Sequence, residues 1–247
     1  MPPAKKPAAK KPAAKAAPRS LEQQVQAALA SLEQMSTARD LANLARFGIT
    51  ASNALGVSMA NVQRLAKRLG KSHELAAALW ATNCYEARLL TCFVDEPARV
   101  TPAQMDRFCR ELDNWAICDT LCFHLFDRTP HAWAKVAEWS EKKGEMERRA
   151  AFALLASLAG HDKAVGDEPF VESLRLIERA AADDRNFVKK AVSWALRRIG
   201  GRSAALNVAA VALARRLAAA PEPAPRWLGK TALKDLTRPV TLRRFGA

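Results

Sequence analysis

One acidic side chain, Asp119, lies inside a strongly apolar helical stretch with the sequence LDNWAICDTLCF. Burying a carboxylate is costly unless it is paired, hydrogen-bonded or used in chemistry. Trp115 precedes Asp119 by about one helical turn, so the two side chains share a helix face. An indole ring beside a carboxylate suits a cationic guest, because the ring face attracts positive charge and the carboxylate balances it. The spacing alone favours a structural role, in which Asp113 caps the helix, Asp119 pairs with a neighbouring helix and Trp115 packs in the core.

A second group of residues surrounds a tryptophan with basic side chains in the stretch KKAVSWALRR. Trp194 precedes Arg197 and Arg198 by three and four positions, which puts the three side chains on one helix face. This arrangement combines an aromatic ring with guanidinium groups that bind phosphate, and Lys189 and Lys190 add charge at the other end of the helix. The alternative is an amphipathic helix with a buried tryptophan and a solvated basic edge.

Two further charged groups lie near predicted helix starts. Glu86, in CYEARLL, is positioned to orient Arg88 or a lysine of the adjacent helix, which is a structural role. Arg148 and Arg149, in ERRAA, oppose the dipole at the N-terminus of their helix. These two arginines are therefore better suited to binding a partner than to stabilising their own helix.

The elements that position these residues are predicted to be helices. Apolar residues recur about every 3.6 positions, and there is no β-hairpin signal. Thr101 followed by Pro102 predicts a helix start, and Gly70 and Gly160 predict helix ends. Helices joined by short loops indicate an all-α fold, a HEAT-like helical-repeat solenoid (an α-α superhelix) with a basic concave face. The expected helices span 21–34, 38–46, 58–69, 72–81, 83–93, 101–112, 115–126, 130–142, 145–159, 168–182, 185–199, 202–218 and 225–235.

Composition divides the chain into three parts. Residues 1–19, rich in Lys, Pro and Ala, carry six basic residues and no acid, so we expect a disordered basic tail. We expect the repeat domain at 20–220 and a basic C-terminal extension at 221–247. The net charge is +14, so the chain beyond the tail still carries +8. A basic excess of this size indicates a polyanionic partner, usually nucleic acid, although a generous supply of surface lysine and arginine is the alternative.

The remaining features limit the cofactors and the compartment. The chain has five cysteines, all within apolar helical runs, and this odd number favours reduced thiols over disulfides. Cys109, Cys118, Cys122 and His124 lack a CxxC pair, so we expect no metal, and no nucleotide-binding motif predicts a cofactor. No apolar run approaches the roughly 18 residues of a membrane span, and the N-terminus has no apolar segment for secretion. We expect a cytoplasmic, nucleoid-associated monomer with no membrane partner.

Five stretches of the sequence carry a resemblance to a known family. They occur in the order LGVSMANVQRLAKRLGKSHELAAALW, CYEARLL, MDRFCRELDNWAICD, ERRAAFALL and VKKAVSWALRRIG. Together they are similar to the DNA alkylation repair family of HEAT-like-repeat DNA glycosylases, over roughly residues 25–215. The most specific element is Trp-x-x-x-Asp followed downstream by Trp-x-x-Arg-Arg, formed here by Trp115, Asp119, Trp194, Arg197 and Arg198.

The resemblance implies an activity and a set of site residues. The activity is hydrolysis of the N-glycosidic bond of N3- or N7-alkylated purines in double-stranded DNA, without extrusion of the base into a pocket. Asp119 is then the catalytic carboxylate, and Trp115 and Trp194 line the cleft that faces the lesion nucleotide. The implied contacts to the DNA backbone come from Arg148 or Arg149, together with Lys189, Lys190, Arg197 and Arg198.

The chemistry of these side chains agrees with that activity. An alkylated purine is cationic and already a good leaving group, and positive charge develops on the deoxyribose as the bond breaks. Indole faces and a carboxylate stabilise that charge more in the transition state than in the ground state. Asp119 is also suited to positioning the attacking water.

Two other classes of function remain open at this stage. Ala116 stands where the family often carries an acid, so a non-catalytic HEAT-repeat binder of damaged or branched DNA is the alternative. A helical scaffold for a protein partner is the third class. Release of methylated bases separates the first two classes, and a steep loss of DNA affinity with salt separates both from the third.

Overall fold

Helices and the loops that join them form the described structure, and the longest of these loops, residues 47–58, leads from α2 into α3. The computed structural model of the chain describes residues 19–246, so the predicted tail lies outside the described residues except for Arg19. Within that range there is no β-strand. The helices are α1 (Leu21–Gln34), α2 (Ala38–Arg46), α3 (Met59–Leu69), α4 (His73–Ala81), α5 (Tyr85–Val94), α6 (Pro102–Arg110), α7 (Trp115–His124), α8 (Ala132–Ser140), α9 (Glu145–His161), α10 (Glu168–Ala180), α11 (Asn186–Gly200), α12 (Ala204–Ala218), α13 (Pro223–Leu236) and α14 (Pro239–Leu242).

The predicted helices are confirmed, each to within two residues at both ends. Side chains of Ser72, Thr101 and Ser203 accept hydrogen bonds from amides of the first turns of α4, α6 and α12. These bonds satisfy amides that have no partner within the helix, so they fix where each helix begins. The suggestion that Asp113 caps α7 is wrong, because Asn114 accepts from the amides of the first turn instead.

The helices pack as two layers. We call α3, α5, α7, α9, α11 and α13 the continuous layer, because each of these helices packs against the next. Helices α4, α8, α10 and α12 each pack against the helix that follows them, and with α6 they make up the covering layer. A hairpin of one covering and one continuous helix, stacked on its neighbours, is the HEAT-like repeat that the sequence predicts.

Helix α9 is the centre of the continuous layer and contacts α7, α8 and α11. Every residue from Arg149 to Ala159 is buried. A helix that is apolar on all sides has to be surrounded by protein, and α9 therefore forms a fixed support for side chains from the helices beside it.

Helix α13, the last long helix, packs against α11 and α12 at close range. A Cβ atom added to Gly229 would lie 2.2 Å from the amide nitrogen of Ala218 and 2.5 Å from the carbonyl oxygen of Ala214. These two atoms belong to the backbone of α12 and cannot move aside as a side chain could. Glycine at this position therefore sets the distance between the last two long helices.

Substitution Gly229→Ala is expected to lower the free energy of unfolding by about 2 kcal/mol, because overpacking outweighs the better helix propensity of alanine. Chemical denaturation measures this difference. Gly166→Ala is the matched control, since an added Cβ there meets only the flexible, exposed side chain of Glu168. An unchanged midpoint for Gly229→Ala would contradict the close contact between the helices.

Glu86 is fully buried and holds the loop that leads into α3. Its carboxylate accepts hydrogen bonds from the backbone amides of Leu55 (2.9 Å), Gly56 (2.8 Å) and Val57 (3.2 Å). The expectation that Glu86 orients Arg88 is therefore wrong. Arg88 instead donates to the carbonyl of Glu111 and lies 4.7 Å from the centre of the Trp80 ring.

Candidate functional site

Asp119 of α7 and Arg149 of α9 form a bidentate salt bridge. The Arg149 Nε donates to Oδ1 of Asp119 at 2.9 Å, and its NH2 donates to Oδ2 at 2.7 Å. The remaining NH1 of Arg149 donates to the carbonyl of Phe187 at 2.8 Å, which ties the pair to α11. Arg149 is 6% exposed, whereas the Asp119 side chain keeps 20% of its surface exposed. The carboxylate is thus held in a fixed orientation but remains reachable from solvent.

The surroundings of the pair shift the proton affinity of both partners. Burial raises the pKa of the Asp119 carboxyl above its usual range, and the charge of Arg149 acts in the opposite direction. Burial works against the charged form of Arg149, yet the Asp119 carboxylate more than compensates and raises the pKa of Arg149. Arg149 therefore stays charged, and Asp119 is a carboxylate whose negative charge is poorly solvated by water.

Two aromatic rings flank the ion pair. The Cζ atom of Arg149 lies 5.9 Å from the ring centre of Trp115 and 5.9 Å from that of Phe187. The indole Nε1 of Trp115 donates to the carbonyl of Phe47 at 3.1 Å, which fixes the tilt of the indole. The structure therefore brings together Trp115 and Asp119, as the spacing along α7 predicts. It adds Phe187, which lies far away in sequence and which no local pattern identifies.

Trp194 packs against the same face of α7 through the ring of Phe123. Phe123 follows Asp119 by one helical turn on α7, and its ring stacks on Trp194 with centres 4.8 Å apart and planes 2° from parallel. Phe123 also contacts the His161 ring, with ring centres 5.2 Å apart and ring planes at 82° to each other. Trp115, Asp119 and Phe123 thus form a row along α7, and Trp194 of α11 stacks at the end of that row. The repeat of four residues along α7 identifies Phe123 in hindsight, but its partner on α11 depends on the packing of the helices.

His161 is held by a buried carboxylate at the end of this row. Its Nδ1 lies 2.6 Å from Oδ2 of Asp127, and the hydroxyl of Ser157 donates to the same oxygen at 2.7 Å. The Asp127 side chain is fully buried. The Nδ1 contact fixes the ring plane of His161 and so supports the edge contact with Phe123.

The six predicted backbone-contacting residues fall into two groups. Arg148 pairs with Asp183 at 3.2 Å, Arg149 pairs with Asp119, and Arg197 pairs with Asp235 at 3.1 Å. In residues 19–246 no carboxylate lies within ion-pair distance of Lys189, Lys190 or Arg198. Lys189 lies 5.1 Å from the ring centre of Trp227, and Lys190 is exposed.

Other kinds of site find no support in the part of the chain that the structure describes. No group of three or more His, Cys, Asp or Glu side chains in that part is arranged to bind a metal ion. No helix between residues 19 and 246 combines the length and apolarity needed to cross a membrane.

Known proteins resemble this chain at two levels. A family model described as "DNA alkylation repair enzyme" matches residues 28–236. A solved structure described as "A new family of proteins related to the HEAT-like repeat DNA glycosylases with affinity for branched DNA structures" superimposes with a TM-score of 0.70 at 18% sequence identity, covering 77% of this chain and 82% of that chain. No curated protein matches the sequence. The family match spans most of the chain, and the structural match supports the fold.

Proposed function

Because this chain belongs to the DNA alkylation repair enzyme family, we propose that it is a DNA glycosylase that hydrolyses the N-glycosidic bond of N3- or N7-alkylated purines in double-stranded DNA. The observation that carries this proposal is the Asp119 carboxylate, which Arg149 fixes beside Trp115 while part of its surface stays exposed. A fixed, poorly solvated negative charge is suited to a reaction in which positive charge appears briefly on a sugar.

The proposed reaction places that charge on the deoxyribose. The bond between C1′ and the purine nitrogen breaks, and its electron pair leaves with the purine. The alkylated purine, which began as a cation, departs uncharged. Water adds to C1′, and its proton passes to Asp119 or to solvent. The products are the free alkylated base and an abasic site.

The position of each side chain supports the role proposed for it. Asp119 stabilises the sugar cation through its charge and orients the attacking water. Trp115 and Trp194 present indole faces that attract positive charge and exclude water beside the lesion nucleotide. Arg149 acts as a positioning residue, because its guanidinium is nearly buried and fixes the direction of the carboxylate.

A second candidate function is binding of branched DNA without base release. The family of the similar structure is described as having affinity for branched DNA. One feature of the site favours the same function here: both Asp119 oxygens are already paired with Arg149, and Trp194 lies flat on Phe123. A bound lesion would have to compete with those contacts.

Base release from methylated DNA separates the two candidates. The purified protein is incubated with duplex DNA that contains 7-methylguanine or 3-methyladenine, and the free base is quantified. Release above the spontaneous rate supports the glycosylase. No release, together with preferred binding of a four-way junction over a linear duplex of equal length, supports the branched-DNA binder instead.

Binding of duplex DNA is expected to weaken steeply with salt, because phosphate contacts release counterions from the DNA. Substitution Lys190→Ala is expected to reduce the slope of log K against log salt by about 0.9, the contribution of one phosphate contact. Arg215→Ala is the matched control, since Arg215 is an exposed basic residue on α12 of the covering layer. Fluorescence anisotropy across a salt series measures both slopes, and equal slopes for the two variants would argue against contact through the continuous layer.

A further inference from the structure

A cavity of about 210 Å³ at the C-terminal ends of α9 and α11 is lined by five basic side chains and no acidic one. The basic residues are Lys163, Arg197, Arg198, Arg202 and Arg244, and the other lining residues are Ala159, Gly160 and Gly201. Like charges around one space repel each other unless an anion occupies it. The sequence predicts contacts to the DNA backbone for Arg197 and Arg198 but assigns no role to Lys163, Arg202 or Arg244.

Internal contacts neutralise only part of this charge. Arg202 lies 3.7 Å from Asp167 and donates to the carbonyls of Val165 and Ala159, and Arg197 pairs with Asp235. Arg198 meets the carbonyl of Ala156 at 3.4 Å and has no carboxylate partner among residues 19–246. The described ion pairs include neither Lys163 nor Arg244.

Gly160 gives Arg198 the space to lie across α9. A Cβ atom added to Gly160 would lie 1.7 Å from NH2 of Arg198, inside the volume of that atom. Glycine in a helix costs about 1 kcal/mol relative to alanine, so its presence here comes with a packing benefit. The benefit is that the Arg198 guanidinium packs directly against α9 in the lining of the cavity.

The last basic side chain comes from a segment beyond the family match, which ends at residue 236. Helix α14 and the 3₁₀ turn Arg243–Phe245 line cavities together with residues of α11, and Thr241 anchors this segment by donating to the carbonyl of Asp235 at 2.8 Å. Arg244 thereby contributes to the lining of the cavity. A second cavity of about 380 Å³ shares Arg244 with the first, and its lining also includes Trp194, Arg238 and the acidic Asp235.

We propose that Lys163, Arg198, Arg202 and Arg244 bind a phosphate group of a DNA strand that leaves the Trp194 end of the site. Guanidinium groups bind phosphate through paired, charge-assisted hydrogen bonds, which suits the three arginines better than it suits a lone lysine. The proposal rests on DNA binding under the proposed function, not on base release. It assigns the C-terminal segment, which the family match does not include, a direct part in holding DNA.

The test compares two arginines that are adjacent in the C-terminal segment. Arg243 and Arg244 are both exposed, but Arg244 lines the cavity, whereas Arg243 lines neither of the two cavities. Arg244→Ala is expected to weaken binding of a duplex oligonucleotide about tenfold at low salt. Arg243→Ala, which removes the same charge, is expected to change the affinity less than about twofold. Equal losses for the two variants, or no loss for Arg244→Ala, would overturn the assigned site.

A third variant tests geometry without changing charge. Gly160→Ala retains every basic residue but displaces the Arg198 guanidinium, so we expect it to weaken duplex binding while the melting temperature stays at or above that of the wild type. Wild-type affinity for folded Gly160→Ala would contradict the role of Arg198.

Duplexes with different 5′ ends show whether the bound phosphate is a terminal phosphate or an internal phosphodiester. If Arg244→Ala weakens binding only for duplexes with 5′-phosphorylated ends, the site takes a terminal phosphate. If it weakens binding equally for 5′-hydroxyl ends, the site takes an internal phosphodiester. Both outcomes support the phosphate site. The glycosylase proposal fails on a different result, the absence of base release by the wild-type protein, so the two failures are distinguishable.

Discussion

Replacing Asp119 by asparagine is expected to slow base release from methylated duplex DNA by at least about a hundredfold, with duplex affinity changed little. The amide keeps the shape of the side chain but removes the negative charge that would balance the sugar cation. Base release under single-turnover conditions, with protein in excess over DNA, measures the chemical step. Asp113→Asn is the matched control, because Asp113 is an exposed carboxylate two residues before the same helix begins.

The same substitution is expected to lower the free energy of unfolding by about 3 kcal/mol, because it leaves the buried Arg149 guanidinium without its counter-charge. Asp119→Asn with Arg149→Gln removes both charges and is expected to be more stable than Asp119→Asn alone, while base release stays low. Recovery of activity along with stability in the double variant would contradict a direct role for the carboxylate.

The pH dependence of base release follows from the same pair. Burial raises the pKa of Asp119, so the carboxylate loses its charge at a higher pH than an ordinary aspartate, whose pKa is about 3.9. We therefore expect base release to fall as the pH is lowered through that raised pKa. The Asp119→Asn variant is expected to lack this step in its pH profile.

The largest effect on stability is expected at Glu86. Glu86→Ala would leave the buried amides of Gly56 and Val57 and the partly buried amide of Leu55 without partners, at about 1–3 kcal/mol for each buried group. We expect the free energy of unfolding to fall by about 4 kcal/mol in total.

Chemical denaturation compares Glu86→Ala with Glu86→Gln and with Glu33→Ala. Glutamine keeps one oxygen as an acceptor, so an intermediate loss is expected. Glu33 is exposed on α1, and its replacement is expected to leave the midpoint nearly unchanged. A loss at Glu86 no larger than the loss at Glu33 would argue that the loop does not depend on this carboxylate.

The helices were predictable because the signals that define them are local. Ser72, Thr101 and Ser203 form hydrogen bonds within a few residues of their own position, and the apolar period is repeated in each helix. The short α14 lacks such a period, because four residues make barely one turn.

The partners within the site were less predictable because they depend on how helices pack. The Asp119–Arg149 pair joins residues thirty positions apart, and the Phe123–Trp194 stack joins α7 to α11. Arg148 and Arg149 are adjacent in sequence, yet one faces Asp183 and the other faces Asp119. The helical offset of about 100° between consecutive side chains separates them, but only the neighbouring helices decide which carboxylate each one meets.

Stabilisation of a sugar cation by Asp119 is tested most directly with a DNA analogue that carries a positive charge at the position of the sugar. One duplex contains a protonated pyrrolidine in place of the deoxyribose at an abasic position, and a second contains the uncharged tetrahydrofuran. The wild-type protein and Asp113→Asn are expected to bind the cationic duplex at least about a hundredfold more tightly, as expected of a transition-state mimic. Asp119→Asn is expected to lose most of that preference. An equal preference in Asp119→Asn, or none in the wild type, would contradict the proposed role of the carboxylate.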